Sequence, residues 1–186
     1  MKKKRMKKET RLTLVAAAIV AAVIAVDQCA KHAVMACLAL DESIDLIPGV
    51  LRLTYIRNAG AAFGMLKNAR WLFLIVSTAV IAAAVWFLIF YHRKTRLLNC
   101  AVAMITGGGI SNMIDRLFYG ETFAGGTVVD FLDFCAFPNL WCWIFNVADA
   151  AVVIGTGLLI LYLILDIIKE SKTAHGETNH ADGGNT

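Results

Sequence analysis

Two aspartates of this chain lie in strongly apolar surroundings, where a carboxylate is rarely found without a function. Asp130 lies within Val-Val-Asp-Phe, and Asp149 lies just inside a long apolar segment with no Lys or Arg within four residues. Apolar surroundings raise the pKa of a carboxyl group. Two neighbouring carboxyl groups that share one proton can act together as acid and base. We therefore predict that Asp130 and Asp149 have a functional rather than a purely structural role.

Other polar side chains lie near the ends of the apolar segments, as these two aspartates do. Asp27 and Lys31 are four residues apart and would share one helix face, so they form either an ion pair or a direct part of the site. For Asp115 we favour a structural link between helices, and Asn146 is a good helix N-cap. Asp133 is predicted to be a solvated loop carboxylate. The remaining polar residues of this group are Asn112 and Arg116.

The elements that carry these residues are predicted to span a membrane. Hydrophobic residues make up 59% of the 186 residues and charged residues 17%, against about 45–50% and about 25% in soluble domains. The apolar excess forms four blocks long enough to cross a bilayer, at about 12–30, 71–91, 97–117 and 144–166. We predict an all-α membrane protein with a four-transmembrane-helix bundle. Residues 1–11 form a basic cytoplasmic N-terminus, 12–168 one membrane domain and 169–186 a disordered cytoplasmic tail.

The distribution of the 18 Lys and Arg residues predicts the orientation of the bundle. About two thirds of them lie before the first block, between blocks two and three, or after block four, so both termini are expected on the cytoplasmic side. The polar cluster then lies near the extracytoplasmic face of the membrane. A cleaved signal peptide is an alternative for the N-terminal segment, although Asp27 and Lys31 favour its retention. Anionic lipid explains the basic N-terminus better than nucleic acid does.

The two loops on the predicted outer side have features of short β-strands. In 51–57, apolar and polar residues alternate, and in 125–131 a Gly-Gly pair precedes β-branched residues. Such patterns are typical of strands. We predict a small extracytoplasmic β-sheet that lies on the membrane surface.

The sequence contains no motif for a metal or a nucleotide. The five cysteines lack the paired spacing of a zinc site, and no lysine follows Gly107-Gly-Gly109 as a phosphate loop would require. We expect no metal and no cofactor. These glycines are better suited to close helix packing. Whether Cys135 and Cys142 pair is left open.

Five polar segments, taken in order, give the sequence a family resemblance. They are Asp27-Gln-Cys-Ala-Lys31, Asn58-Ala-Gly-Ala-Ala-Phe-Gly64, Gly107-Gly-Gly-Ile-Ser-Asn-Met-Ile-Asp-Arg116, Val128-Val-Asp-Phe131 and Phe145-Asn-Val-Ala-Asp149. The series resembles the lipoprotein signal peptidases (signal peptidase II) of bacteria, from about residue 12 to residue 165. The departures from the family pattern are Ala30, Ser111, Ile144 and Ala150, and none of them removes a titratable group.

The resemblance implies an intramembrane aspartic endopeptidase with Asp130 and Asp149 as its catalytic dyad. Its substrate would be a prolipoprotein whose Cys bears a diacylglyceryl group, cleaved just before that Cys. Asn58 and Arg116 would hold the substrate backbone, and Gly60 would let a loop approach it. The residues expected to support the dyad are Asn112, Asp115, Asn146, Ala148, Asp27 and Lys31. The expected partners are the lipid-modified substrate and membrane lipid, with no nucleic acid and no obligate protein partner evident.

Two other functions remain open on the residues alone. A transporter or proton channel also uses intramembrane Asp, Asn and Arg, but it would need polar groups along the whole depth of the spans. Segments 88–90 and 158–165 are apolar apart from one tyrosine, and no internal repeat is visible. A non-catalytic assembly subunit would tolerate replacement of Asp130 and Asp149 by Asn.

Overall fold

The computed structural model describes residues 2–59, 70–91, 95–120, 126–136 and 143–181. These residues form four helices and four short strands. The helices are α1 (Lys2–Cys37), α2 (Arg70–Phe90), α3 (Arg96–Phe118) and α4 (Val147–Ala181). The strands are β1 (Ser43–Ile47), β2 (Leu51–Asn58), β3 (Val128–Phe134) and β4 (Ile144–Phe145). Strands β1 and β2 lie between α1 and α2, and β3 and β4 lie between α3 and α4.

Three helices contain segments long and apolar enough to cross a bilayer. These segments are Glu9–Cys37, Arg96–Phe118 and Val147–Lys172, with mean hydropathies of 2.2, 1.4 and 2.5. The fourth helix, α2, contributes the shorter apolar segment Leu74–Phe90. Large apolar side chains on the outside of α4, from Val153 to Ile168, are widely exposed. Lipid covers such an apolar surface at no cost in free energy, whereas exposure of the same surface to water is unfavourable. The mostly helical architecture with a small sheet agrees with the predicted fold class.

Helix α4 differs from the predicted fourth span at both ends. It begins at Val147 rather than at 144, because Ile144 and Phe145 form β4 and pair with Asp133 and Leu132 of β3. It continues to Ala181, so the part of the predicted disordered tail that the structure describes, 169–181, is helical. Segment 169–181 contains no proline and several good helix formers, which allows the helix to continue. Helix α1 likewise includes the basic N-terminal segment.

The four strands form one antiparallel sheet in the order β1-β2-β3-β4. Strands β1 and β2 form a hairpin whose turn contains Gly49 at a φ of +72°, a conformation that glycine adopts without strain. Both predicted strands, in β2 and in β3, are confirmed, whereas β1 and β4 were not predicted. Buried side chains of the sheet pack against the C-terminal part of α1. This cluster contains Tyr55, Val129 and Phe131 from the sheet and Val34 and Leu38 from α1.

Close packing of α3 against α4 depends on a glycine, as the Gly107-Gly-Gly109 segment suggested. A methyl group added at Gly108 would collide with the carbonyl oxygen of Ala148, and one at Gly107 would lie 2.9 Å from Val23 Cβ of α1. Ala148 is itself fully buried. The packing therefore brings the first turn of α4 against the middle of α3.

Candidate active site

Asp130 lies in the middle of β3, and its carboxylate is held by two amide groups. Asn58 Nδ2 donates to Asp130 Oδ2 at 2.9 Å, and Asn146 Nδ2 donates to Asp130 Oδ1 at 2.6 Å. In the register of the sheet, Asn58 pairs with Val128 and Ile56 pairs with Asp130. The contact between Asn58 and Asp130 is therefore diagonal across the two strands, a separation that long polar side chains can bridge. The Asp130 residue is 2% exposed.

Asp149 lies in the first turn of α4, where it forms a reciprocal cap with Asn146. The backbone N–H of Asp149 donates to Asn146 Oδ1 at 2.8 Å, and the backbone N–H of Asn146 donates to Asp149 Oδ2 at 3.2 Å. This is the hydrogen-bond pattern of a capping box, and it confirms Asn146 as the helix N-cap. The other carboxylate oxygen, Oδ1, accepts from Asn112 Nδ2 at 2.8 Å. Asp149 is only half-buried.

A single residue, Asn146, connects the two predicted catalytic carboxyl groups. Its side-chain Nδ2 donates to Asp130 and its backbone N–H to Asp149. The same Nδ2 lies 3.1 Å from Asn112 Oδ1 and 3.3 Å from the carbonyl oxygen of Val129. Asn146 is fully buried. Two residues that are 19 positions apart in the sequence are thus brought to the same asparagine.

Behind the carboxyl pair lies a buried ammonium group, that of Lys31. Its Nζ is 2.6 Å from Asp27 Oδ2, 2.7 Å from Asp115 Oδ2 and 2.9 Å from Asn112 Oδ1. A lysine ammonium has three protons, so each of them has an acceptor. The three charged side chains are completely buried. Of the two alternatives for Asp27 and Lys31, the structure shows the ion pair, and this pair is one part of a larger network.

Asn112 connects the Lys31 ammonium group to Asp149 by hydrogen bonds to both. Because Asn112 Oδ1 accepts from Lys31, its Nδ2 is turned toward Asp149.

The second buried carboxylate of the network, Asp115, links other elements. It accepts from the backbone N–H of Val129 at 3.1 Å and from Gln28 Nε2 at 2.7 Å. Asp115 therefore ties α1, α3 and β3 together, which agrees with the structural role predicted for it.

Ala148 joins the network through its backbone, since its N–H donates to Asp27 Oδ1 at 2.8 Å. This bond satisfies one of the free N–H groups in the first turn of α4. Ser111, one of the departures from the family pattern, donates its hydroxyl to Asp27 Oδ2 at 2.7 Å. Each oxygen of the Asp27 carboxylate thus holds a different helix against α1.

The environment of Asp130 favours its protonated form. Burial raises the pKa of the Asp130 carboxyl group to about 7 from its ordinary value of 3.8. The negative charge of Asp149 acts in the same direction, and the hydrogen bonds from Asn58 and Asn146 oppose the shift. A carboxyl group with a pKa near neutrality can carry a proton or release it under physiological conditions. The expectation that the apolar setting of Asp130 raises its pKa agrees with this shift.

A cavity of about 360 Å³ lies between α2, α3 and α4 and reaches the half-buried carboxylate of Asp149. Its lining is largely apolar and includes Val80, Ile81 and Ala84 of α2. Arg116 and Asn112 supply polar groups beside Asp149. The cavity thus joins an apolar volume among the helices to one of the two carboxyl groups.

Several predicted features of the site are placed differently by the structure or lie outside the described residues. Asn58 donates its amide to Asp130, and its contact with substrate backbone stays a prediction. Asp133 is no solvated loop carboxylate, because it lies on β3 and accepts from Arg52 Nη2 at 2.6 Å. Gly60, Gly64 and Cys142 lie outside the described residues, as does the possible Cys135–Cys142 pair.

The network also contains Gln28 and Tyr119, neither of which was predicted as a site residue. Gln28 Nε2 donates to Asp115 Oδ1 and lies 3.0 Å from Ser111 Oγ, while Tyr119 donates its hydroxyl to Gln28 Oε1 at 2.7 Å. Gln28 could have been identified from the sequence, because it is a polar residue between Asp27 and Lys31 in an apolar helix. Nothing in the sequence pattern distinguishes Tyr119.

The fold and the site define a small polytopic membrane protein with a buried polar network and two carboxyl groups that accept hydrogen bonds from one asparagine. The sequence profile of the family described as Signal peptidase (SPase) II matches residues 19–165. A protein of Symbiobacterium thermophilum named "Lipoprotein signal peptidase" is 43% identical over 153 residues, which cover 79% of this chain and 93% of that protein. A protein of the same name from Halothermothrix orenii is 43% identical over 148 residues, covering 78% and 92%.

Solved structures agree with these sequence matches. A bacterial membrane enzyme structure obtained by the in meso method at 2.3 Å resolution matches with a TM-score of 0.71 and 30% identity, over 82% of this chain and 89% of that one. A second such structure, at 1.9 Å resolution, gives a TM-score of 0.70 and 31% identity, over 80% and 92%. The chain belongs to the signal peptidase II family and is a protease.

Proposed function

We propose that Asp130 and Asp149 are the catalytic dyad with which this signal peptidase removes the signal peptide from diacylglyceryl-modified prolipoproteins, just before the lipidated Cys. The observation that carries the proposal is the shared contact with Asn146, which holds both carboxyl groups in one place. Family membership supports the substrate class, since the relatives are named for lipoprotein signal peptides.

The chemistry requires one carboxyl group to be protonated and the other ionised. The ionised carboxylate takes a proton from a water molecule, and the water oxygen adds to the carbonyl carbon of the scissile bond. The protonated carboxyl group gives its proton to the carbonyl oxygen. Collapse of the resulting diol breaks the C–N bond, and the amine leaves with a proton returned by the pair. No fixed role is assigned to either residue, because a coupled pair titrates as a unit.

In this proposal, each amide around the pair orients one or both of the carboxyl groups. Asn58 and Asn146 orient the Asp130 carboxyl group, and Asn112 together with the Asn146 backbone orients Asp149. Such positioning matters because small errors in geometry reduce catalysis strongly. Arg116 lines the cavity beside Asp149, where its guanidinium can donate to a carbonyl oxygen of the substrate backbone.

The cavity between α2, α3 and α4 gives a lipid-modified substrate a place beside the dyad. Its apolar lining suits hydrocarbon, and Asp149 lies at its polar end. In the proposed topology both termini are cytoplasmic, and the dyad lies near the extracytoplasmic face of the inner membrane. The distribution of Lys and Arg supports that orientation.

The proposal is tested with a purified precursor peptide offered in two forms, with a diacylglyceryl-modified Cys and with an unmodified Cys. We expect cleavage of the lipidated form to be at least about tenfold faster in kcat/KM, because burial of acyl chains contributes about 0.8 kcal/mol for each CH₂ group. Equal cleavage of the two forms would contradict lipid-dependent recognition. Asp130→Asn and Asp149→Asn should each abolish cleavage while the protein still folds.

A matched pair of substitutions tests the cavity. Ala84 lines it, whereas the neighbouring Ala83 is exposed on the outside of α2. Ala84→Phe should lower kcat/KM for the lipidated precursor at least about tenfold, since a phenyl group occupies much of the space. Ala83→Phe should leave it unchanged. Equal effects of the two variants would mean that the acyl chains do not use this cavity.

A further inference from the structure

A second cavity lies at the end of the helices away from the carboxyl pair. It has a volume of about 470 Å³ and lies between α1 and α3, where its lining includes Lys7, Arg11 and Arg96. Arg11 is 20 residues before Lys31 in α1, so the helical rise separates them by about 30 Å. That distance is the thickness of the hydrocarbon core of a bilayer. The cavity therefore lies at the membrane surface opposite to the proposed active site.

The cavity is lined by three cationic side chains and approached by a helix N-terminus. Lys7 and Arg11 are four residues apart and so lie on one face of α1. Arg96 is the first residue of α3, whose N-cap is Thr95. The positive end of the dipole of this 23-residue helix adds to the attraction for an anion. No aspartate or glutamate belongs to the described lining.

One of the lining residues has a buried amide whose oxygen accepts no hydrogen bond. Asn99 is completely buried, and its Nδ2 donates to the carbonyl oxygen of Leu12 at 2.9 Å. That bond fixes the orientation of the amide. Within the described part of the chain, Asn99 Oδ1 is the one buried side-chain nitrogen or oxygen atom without a hydrogen-bond partner. A buried acceptor is costly to leave without a donor, so the lining offers a ligand both positive charge and a hydrogen-bond acceptor.

We propose that this cavity binds the headgroup of an anionic phospholipid whose headgroup carries hydroxyl groups, such as phosphatidylglycerol. The phosphate lies among Lys7, Arg11 and Arg96, and a small shift of the lining lets a headgroup hydroxyl donate to Asn99 Oδ1. The acyl chains leave the cavity along α1 past Val15, a lining residue that is 40% exposed. The contacts combine a charge requirement with a hydroxyl requirement, which a general basic surface would lack.

The site is tested by native mass spectrometry of the purified full-length protein in detergent. The protein is titrated with dioleoyl-phosphatidylglycerol or with dioleoyl-phosphatidylcholine. We expect one phosphatidylglycerol to bind with clear preference over phosphatidylcholine. The double variant Arg11→Gln/Arg96→Gln should weaken its binding about twenty-fivefold, because each cation near an anionic lipid contributes about a factor of five to affinity. Both residues are exposed, so the variant should fold normally.

The matched control removes two cations from another helix end, with Lys169→Gln/Lys172→Gln in α4, and should retain the lipid. Loss of binding in this control to the same extent would overturn the site in favour of general surface attraction. Equal binding of the two lipids to the wild type would also overturn it. A third arm adds soluble glycerol phosphate as competitor. Displacement of the lipid by an equal concentration of it would overturn the lipid assignment, and we expect none, because glycerol phosphate has no acyl chains.

Discussion

Replacement of Asp130 by Asn should make the stability of the folded protein less dependent on pH. The pKa of Asp130 is about 7 in the folded protein against 3.8 for the ordinary group. A raised carboxyl pKa means that the folded state holds the proton more tightly than the unfolded state does. The corresponding stability is fully present below pH 4 and is lost as the pH rises through 7. Asp130→Asn removes this titration.

The size of the effect follows from the pKa difference. A shift of about three units at about 1.4 kcal/mol each gives an upper limit of about 4 kcal/mol, of which about 2 to 3 kcal/mol falls between pH 5 and pH 8. The substitution has a cost that does not depend on pH. Asn58 and Asn146 donate to different oxygens of the carboxylate, and in asparagine an NH₂ group, which is itself a donor, replaces one of these two oxygens. The donor to the replaced oxygen loses its partner at about 1–3 kcal/mol.

The measurement is the difference in melting temperature between Asp130→Asn and the wild type in detergent, from pH 5 to pH 8. Groups shared by the two proteins cancel in this difference. We expect it to move in favour of the variant by roughly 5–10 °C across the range, at about 2–4 °C for each kcal/mol. A difference that stays flat, or that moves in favour of the wild type as the pH rises, would refute the raised pKa of Asp130.

The remaining predictions concern the contacts that hold the site. Gly108→Ala should prevent α3 from packing on Ala148 and lower the melting temperature by about 5 °C or more, whereas Gly157→Ala, where a methyl group meets nothing within 4 Å, should raise it slightly. An equal loss in both would show that helix packing is not the cause. Lys31→Met leaves two buried carboxylates without their counterion and should lower the free energy of unfolding by about 3–5 kcal/mol. The measurement is thermal or urea unfolding in detergent. A decrease below about 1 kcal/mol would contradict the network.

The sequence predicted those parts of the fold that depend on local patterns. Spans follow from the length of the apolar blocks, and strands β2 and β3 follow from alternation and β-branched residues. The ion pair of Asp27 with Lys31 follows from helical spacing. Strand β4 was missed because its two residues, Ile144 and Phe145, continue an apolar run without a break. Only their pairing with β3 separates them from α4.

The parts of the site that were not predicted depend on how distant elements meet. The Asn58 amide reaches Asp130 through a register that contains an irregularity between Leu53 and Ile56, and no local pattern gives that register. Asp133 was predicted to lie in a solvated loop, because no local pattern shows that it faces Arg52 on another strand. Lys31 has acceptors on two helices, and only the packing of α1 against α3 brings the second one close.

The central claim is that Asp130 and Asp149 act as one catalytic unit, and a double-mutant comparison of cleavage rates tests it most directly. Single-turnover rates on the lipidated precursor are measured for Asp130→Asn, Asp149→Asn and the double variant, with Asp133→Asn as the matched control. We predict that each single variant falls at least about a thousandfold, that the double variant is no slower than either, and that the control retains activity. Substantial activity in one single variant, or losses that multiply in the double variant, would contradict a shared dyad.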